Sequence, residues 1–340
     1  MNHGFECHVS PLLRTERDDR TFYAAGHYFG KARILLNSAR IRTVNWWTLD
    51  AYDIIFIYRE ALMTRHTVFE RLFRRSRSRI VFDFDDAIWL PAVSSGNRRL
   101  EWLKNPAKTA RLLSWADMAF AGNRYLAEYA SRFCDCVRIV PTTVDTDVFQ
   151  PRAAAVTGDG PVEIGWTGSP STIEHLRYSL PALRRLRQKY GGRIRFKVIG
   201  DAAFHDEALD VRGMPWRRET ELADLSTLDI GIMPLPDDDW TRGKCGFKGL
   251  TYMALGIPAV LSPVGVNTEI VEDGVNGFLA ESEDAWVDRL SLLVEQPALR
   301  ARLGARGRET VVARYSVASQ RDDYVRHFQE VLDRPKRRWT

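Results

Sequence analysis

Short apolar runs alternate along the chain with longer segments whose apolar residues recur at helical spacing. The runs at 53–58, 80–84, 118–121 and 137–140 read as strands in the first half. The segments near 60–75, 97–116 and 123–133 read as the helices between them. The second half repeats the scheme, with strands expected at 162–166, 194–200, 229–233 and 258–262. Runs apolar on both faces, each followed by a helix, predict parallel sheets covered on both sides. The stretch 150–161 (QPRAAAVTGDGP) breaks the pattern and reads as a linker. The expectation is therefore two doubly wound, Rossmann-like α/β domains. Ligands in such sheets bind beyond the carboxyl ends of the strands, so a cleft between the domains is the expected site.

Composition narrows the class without naming a chemistry. The 340 residues are 45% hydrophobic and 27% charged, as in a folded globular protein. No apolar run approaches the roughly 20 residues that span a bilayer, and the first residues do not read as a signal peptide, which makes a cytoplasmic location the default. Cys7, Cys134, Cys136 and Cys245 form neither a CxxC pair nor a zinc-spaced cluster, so no metal site is expected. Net charge is +5, and residues 1–150 hold all of it: 22 Lys and Arg against 17 Asp and Glu, with 27 against 27 in the remainder. Arg71, Arg74, Arg75, Arg77 and Arg79 are the most concentrated part. They fit a solvated helix end or a contact with anionic lipid or phosphate. No basic-aromatic module points to nucleic acid. Trp46, Trp47 and Trp102 suit core packing or an acceptor groove.

Three segments carry candidate chemistry. In 162–174, a buried strand runs through a Gly168 turn into a helix start. Ser171 and Glu174 are spaced as a capping box, and Leu176, Leu180, Leu183 and Leu186 are spaced as a buried face. Gly168 permits close backbone approach to a ligand, and free amides at the helix start can hold an anion. A Walker lysine and a GxGxxG fingerprint are both absent, which disfavours P-loop and nicotinamide chemistry. In 240–265, Arg242, Lys244 and Lys248 gather at the start of a helix whose apolar face includes Phe247 and Leu250 and which Gly256 ends. Cations at that end oppose the helix dipole, so an anionic ligand explains them better than solvation does. In 79–91, Asp83, Asp85 and Asp86 crowd the carboxyl end of a strand. A base, a divalent-metal ligand and a cap for the next turn all fit that arrangement. Asp83 and Asp85 also mimic a phosphohydrolase DxD pair, although no downstream acidic pair completes it.

At these residues the chain resembles the family 4 glycosyltransferases of GT-B fold, in the bacterial polysaccharide-making branch. The likeness rests on DFDDAIW (83–89), AGNRYLAEYA (121–130), IVPTTVDTDVF (139–149), IGWTGSPST (164–172), GKCGFKGLTYMALGIPAVLSPVGVN (243–267) and EIVEDGVNG (269–277). It implies retaining, metal-independent transfer of a sugar from a UDP- or GDP-sugar to a saccharide or lipid-linked saccharide, with no further cofactor. The implied layout is an acceptor-side domain at 1–150, a linker at 151–161, a donor domain at 162–315 and a helix at 316–340 returning to the first domain. It also implies catalytic roles for Asp85, Lys244 and Lys248. Donor contacts fall on Gly168, Ser169, Thr172, Trp216, Arg242, Gly246, Phe247, Thr251 and Glu269.

The chain departs from the family pattern twice. Two glutamates, expected toward the sugar and the ribose, are replaced by Gly243 and Thr251. The first βα unit of the N-terminal domain is not evident, which leaves a sheet edge for a rearrangement, a partner or an upstream segment to cover. Both departures favour, as the alternative, a degenerate GT-B protein that binds nucleotide or a partner without turnover. Peripheral membrane contact through the N-terminal domain is a further expectation.

Overall fold

A computed structural model describes residues 4–15, 18, 21–22, 26–90, 105–151 and 160–336. The chain divides into two units, residues 1–140 with 322–340, and residues 141–321. Residues 97–104 of the second expected helix, Trp102 and most of the expected linker lie outside the described residues.

The first unit is built on a parallel sheet in the order β1 (Ile54–Tyr58), β2 (Arg79–Phe84), β3 (Met118–Ala121) and β4 (Val137–Ile139). β2 and β3 are interior, and Val81, Phe82, Phe84, Met118 and Phe120 are fully buried in them. Helices Val68–Phe73, Ala107–Trp115 and Arg124–Ala130 connect the strands. The last begins where the Asn123 carboxamide oxygen accepts from the Leu126 amide. Among the described residues no strand precedes β1, which stands at the edge. Helix Tyr28–Thr48 precedes it instead.

The closing helix, Val317–Asp333, brings Tyr324, His327 and Phe328 against Phe120, and Val331 into the apolar cluster of Val81 and Met118. Arg79 is consumed here, its guanidinium donating to the carbonyls of Val331 and Arg334. Arg74 stacks on Trp115, whereas Arg71, Arg75 and Arg77 are exposed. Part of the arginine run is thus structural. The packing reading of Trp47 gives way, because its side chain is 76% exposed.

In the second unit five parallel strands lie in the order β11 (Phe278–Leu279), β10 (Ala259–Leu261), β9 (Ile230–Met233), β5 (Val162–Thr167) and β6 (Ile194–Ile199). Alternation along them fills two cores. Ile164, Trp166, Ile230, Ile232 and Val260 enter one with Leu176, Leu183, Leu186 and Trp286. Met233, Ala259 and Leu261 enter the other with Leu250, Tyr252 and Val311. Both faces are therefore covered, as the apolar runs require. A short hairpin, β7 (His205–Asp206) with β8 (Val211–Arg212), follows β6. The chain then crosses to β9 on the far side of β5, so connections leave β5 and β9 in opposite directions. A crevice at the carboxyl ends of this pair is where doubly wound sheets bind ligands.

Candidate functional site

The turn after β5 and the loop after β9 both open at that switch point. Leaving β5, the Gly168 amide donates to the Ile199 carbonyl. A Cβ at Gly168 would stand 2.3 Å from the Trp166 ring and 2.7 Å from Thr172 Oγ1, and only glycine fits. Thr172 Oγ1 accepts from the Ser169 amide at 3.0 Å and donates to the Ser169 carbonyl at 3.1 Å. This clasp replaces the capping box expected of Ser171 and Glu174. Ser171 instead bonds the Ser169 hydroxyl, and Glu174 pairs with Arg177. The four leucines are buried as their spacing predicted.

The loop after β9 is braced by Asp238, whose carboxylate caps Thr241 while Thr241 returns the bond. Two lysines follow, each over an indole. Lys244 Nζ lies 4.7 Å from the Trp240 ring centre, and Lys248 Nζ lies 4.5 Å from that of Trp166. Lys248 Nζ also reaches Thr172 Oγ1 at 3.5 Å, joining the lysine to the glycine turn. Gly246 precedes the helix Phe247–Ala254 with φ +73, and a Cβ there would strike Ile270. The helix places Lys248 in its first turn.

Electrostatics mark this corner as built for negative charge. Burial, and then the charge of Lys244, push Lys248 down to about 7. His175 is pushed down to about 4 by burial and by both lysines, so it is neutral at pH 7. Beneath Lys248 the Trp166 Nε1 is buried and makes no hydrogen bond. Two lysines and a neutral histidine thus gather at the carboxyl end of β5.

The other expected donor contacts are placed differently. Arg242 is exposed and forks onto Asp237 at 2.7 and 3.1 Å. Thr251 is 2% exposed and donates its hydroxyl to the Phe247 carbonyl, so it is not presented for a ribose. Glu269 is exposed, its carbonyl bonded to Tyr315. Trp216 and Phe247 are about half exposed. The structure therefore brings together Gly168, Ser169, Thr172, Lys244 and Lys248, and adds Trp166, which the sequence reading used only as a strand residue, and His175, which it did not single out.

In the first unit Asp85 is already engaged. Arg59 donates to it at 2.8 Å and to Asp86 at 2.9 Å, and the Tyr58 hydroxyl donates to it at 2.9 Å. Arg59 takes φ +60 to do so, with its amide on the Asp83 carbonyl. Asp83, one step back on β2, shows the larger perturbation. Burial and then the neighbouring Asp85 charge raise it to about 7, against the pull of Arg59. Among the described residues no group of three or more His, Cys, Asp or Glu side chains could hold a metal ion.

Solved structures share this architecture. Sucrose-phosphate synthase from Thermosynechococcus elongatus superposes with TM-score 0.66 at 16% identity, covering 88% of this chain and 78% of its own. Anabaena HepE in complex with UDP and glucose gives 0.64 at 15%, covering 85% and 81%. A glycosyltransferase from Rickettsia africae gives 0.63 at 12%, covering 88% and 82%. The fold is that of the GT-B glycosyltransferases, with two Rossmann-like domains. Residues 161–296, which carry the whole lysine and glycine-turn site, match the family model "Glycosyl transferases group 1". No curated protein matches the chain by sequence.

Proposed function

We propose that this protein is a family 4 glycosyltransferase that moves a sugar from a UDP- or GDP-sugar to a saccharide or lipid-linked saccharide, with retention and without a metal. The observation that carries the reading is the juxtaposition of desolvated Lys248 with the Gly168 turn at the carboxyl end of β5. HepE, of the same fold, is described with UDP and glucose. Breaking the donor's glycosidic bond leaves negative charge on the diphosphate and oxocarbenium character on the sugar. Lys248 and Lys244 would receive that charge, together with amides of the Gly168–Ser169 turn, in a site dry enough to strengthen each contact. The acceptor hydroxyl attacks on the face the diphosphate leaves, which retains configuration, and its proton passes to the departing diphosphate oxygen. Lys244, and Lys248 once it takes up a proton with the incoming diphosphate, would do the work a metal does elsewhere. The acceptor belongs to the first unit, near Asp83 and the Arg59-held carboxylates, and the reaction belongs to the cytoplasm.

Calorimetry with UDP and GDP, followed by sugar-transfer and donor-hydrolysis assays, tests the proposal. Submillimolar nucleotide binding with turnover in chelator supports it; no binding of either nucleotide removes it.

A second reading is favoured by Gly243 and Thr251. One has no side chain and the other is buried, so neither offers the carboxylates that family members direct at sugar and ribose. A nucleotide-binding GT-B protein without turnover would bind in the same calorimeter and release no sugar.

A further inference from the structure

The two strands of the switch point part where a side chain enters between them. Successive residues of a strand turn their backbone groups to opposite neighbours. The Asp229 amide donates to the Glu163 carbonyl, so Glu163, Gly165 and Thr167 of β5 turn toward β9. The Gly231 amide donates to the Pro258 carbonyl of the β10 side, so Ile230 and Ile232 turn back toward β5. Pairing between the strands runs through Ile164 with Ile230 and Gly165 with Gly231, and stops there. The next rung would join the Thr167 amide to the Ile232 carbonyl.

The Tyr252 hydroxyl occupies that rung. It accepts from the Thr167 amide at 2.9 Å and donates to the Ile232 carbonyl at 3.4 Å. A Cβ on Gly231 would stand 2.3 Å from the Tyr252 ring, so glycine at 231 is what admits the ring to the sheet. The side chain is fully buried, and burial holds its hydroxyl above the ordinary phenol range. It therefore keeps its proton and can donate to one strand while accepting from the other. Two bonds through an oxygen span more distance than one ladder bond, so β5 and β9 are held apart at their carboxyl ends.

The position of Tyr252 gives the wedge a second consequence. It follows Lys248 by four residues, one turn along the same face of helix Phe247–Ala254. Thr167, its donor, immediately precedes Gly168 and Ser169. One hydroxyl thus ties the helix that carries Lys248 to the glycine turn that faces it. A tyrosine that served only the core would need no bond to that turn.

We infer that Tyr252 is a positioning residue, whose hydroxyl stands in for a β5–β9 rung, holds the switch point open and sets the Gly168–Ser169 turn against Lys248. That the ligand so accommodated is the diphosphate of a nucleotide sugar rests on the function proposed above; the wedge itself does not.

The test uses Tyr252→Phe in the full chain, which keeps the ring against Gly231 and removes only the hydroxyl. One measurement needs no ligand: the Lys248 ammonium is titrated by NMR. A misplaced turn lets water reach Lys248, so its midpoint should rise from about 7 by at least about half a unit. The other is affinity for UDP and GDP by calorimetry, which should fall about tenfold. Leu290→Ala, in the other core of this unit, is the destabilised control and should leave both the midpoint and the affinity unchanged. If Tyr252→Phe does not fold, 3-fluorotyrosine at position 252 weakens the same acceptor without altering the packing, and Lys248 should shift in the same direction. An unmoved Lys248 midpoint overturns the inference, and so does an affinity that stays within about twofold of wild type. Should the wild-type protein bind neither nucleotide, the transferase reading falls, and the Lys248 titration alone decides the role of Tyr252.

Discussion

The ammonium of Lys248 sits 4.5 Å from the centre of the Trp166 ring, with the Thr172 hydroxyl at its side and Lys244 as its charged neighbour. A cation held that way is under-solvated before any ligand arrives. An incoming diphosphate relieves the deficit, so binding and proton uptake are coupled.

With Lys248 at about 7 in the free protein and its ordinary value near 10.5, binding raises its proton affinity. Nucleotide affinity should therefore be full below pH 7. It should fall by up to about tenfold per pH unit above it, until the bound-state value is reached. Titrations in buffers of different ionisation enthalpy at pH 8 should register protons taken up, and a pH-independent affinity would show that Lys248 is not involved.

Removing the charge separates stability from function. The folded state disfavours protonated Lys248, so the unfolded chain binds more protons between pH 7 and 10.5, and stability rises with pH across that window. Lys248→Met should gain about 1 kcal/mol at pH 7 by denaturant unfolding and lose nucleotide binding. Lys244→Ala and Lys248→Ala should each lower sugar transfer about a hundredfold. Wild-type rates would exclude a leaving-group role.

Gly168 admits no side chain. Gly168→Ala forces a methyl into the Trp166 ring and the Thr172 clasp, and should cost about 2 kcal/mol with a larger loss of nucleotide affinity. Equal affinity in the folded variant would take the turn out of the binding site.

Asp83 provides the opposite pH signature. Its carboxyl is raised from 3.8 to about 7, so stability is fullest below pH 4 as far as this group goes, and falls as pH rises toward 7. Asp83→Asn should be the more stable protein at pH 8, by about 2 kcal/mol, and not at pH 4. Asp85→Asn, which leaves Arg59 with Asp86 as its remaining carboxylate, should be destabilising at pH 8. The paired unfolding curves distinguish the two carboxylates.

Strands with buried neighbours on both sides were legible because a run such as Ile80 to Phe84 admits few other structures. The glycine turn and Lys248 were legible because a helix start with cations is expensive without an anion. Helix Tyr28–Thr48 was not, since its buried positions include Lys31, Ser38 and Arg42 and its apolar residues face water, which defeats any reading by apolar periodicity. β7 and β8 are two residues each, too short to leave a pattern. The choice of Asp85 over Asp83 came from the family resemblance, and crowding alone does not reveal which carboxylate Arg59 neutralises. That depends on a left-handed backbone turn at Arg59 that its residue type does not announce.

β1 ends its sheet with Phe56 43% and Tyr58 51% exposed and with no strand on its outer side among the described residues. A rim of this kind offers its amides and carbonyls to any extended peptide that drifts alongside. At high concentration the protein should be prone to edge-to-edge stacking. A lysine in place of Phe56 would give that rim a repelling charge and leave buried Ile57 to hold the strand, at the cost of the Phe56 ring contacts with Phe120 and Phe328.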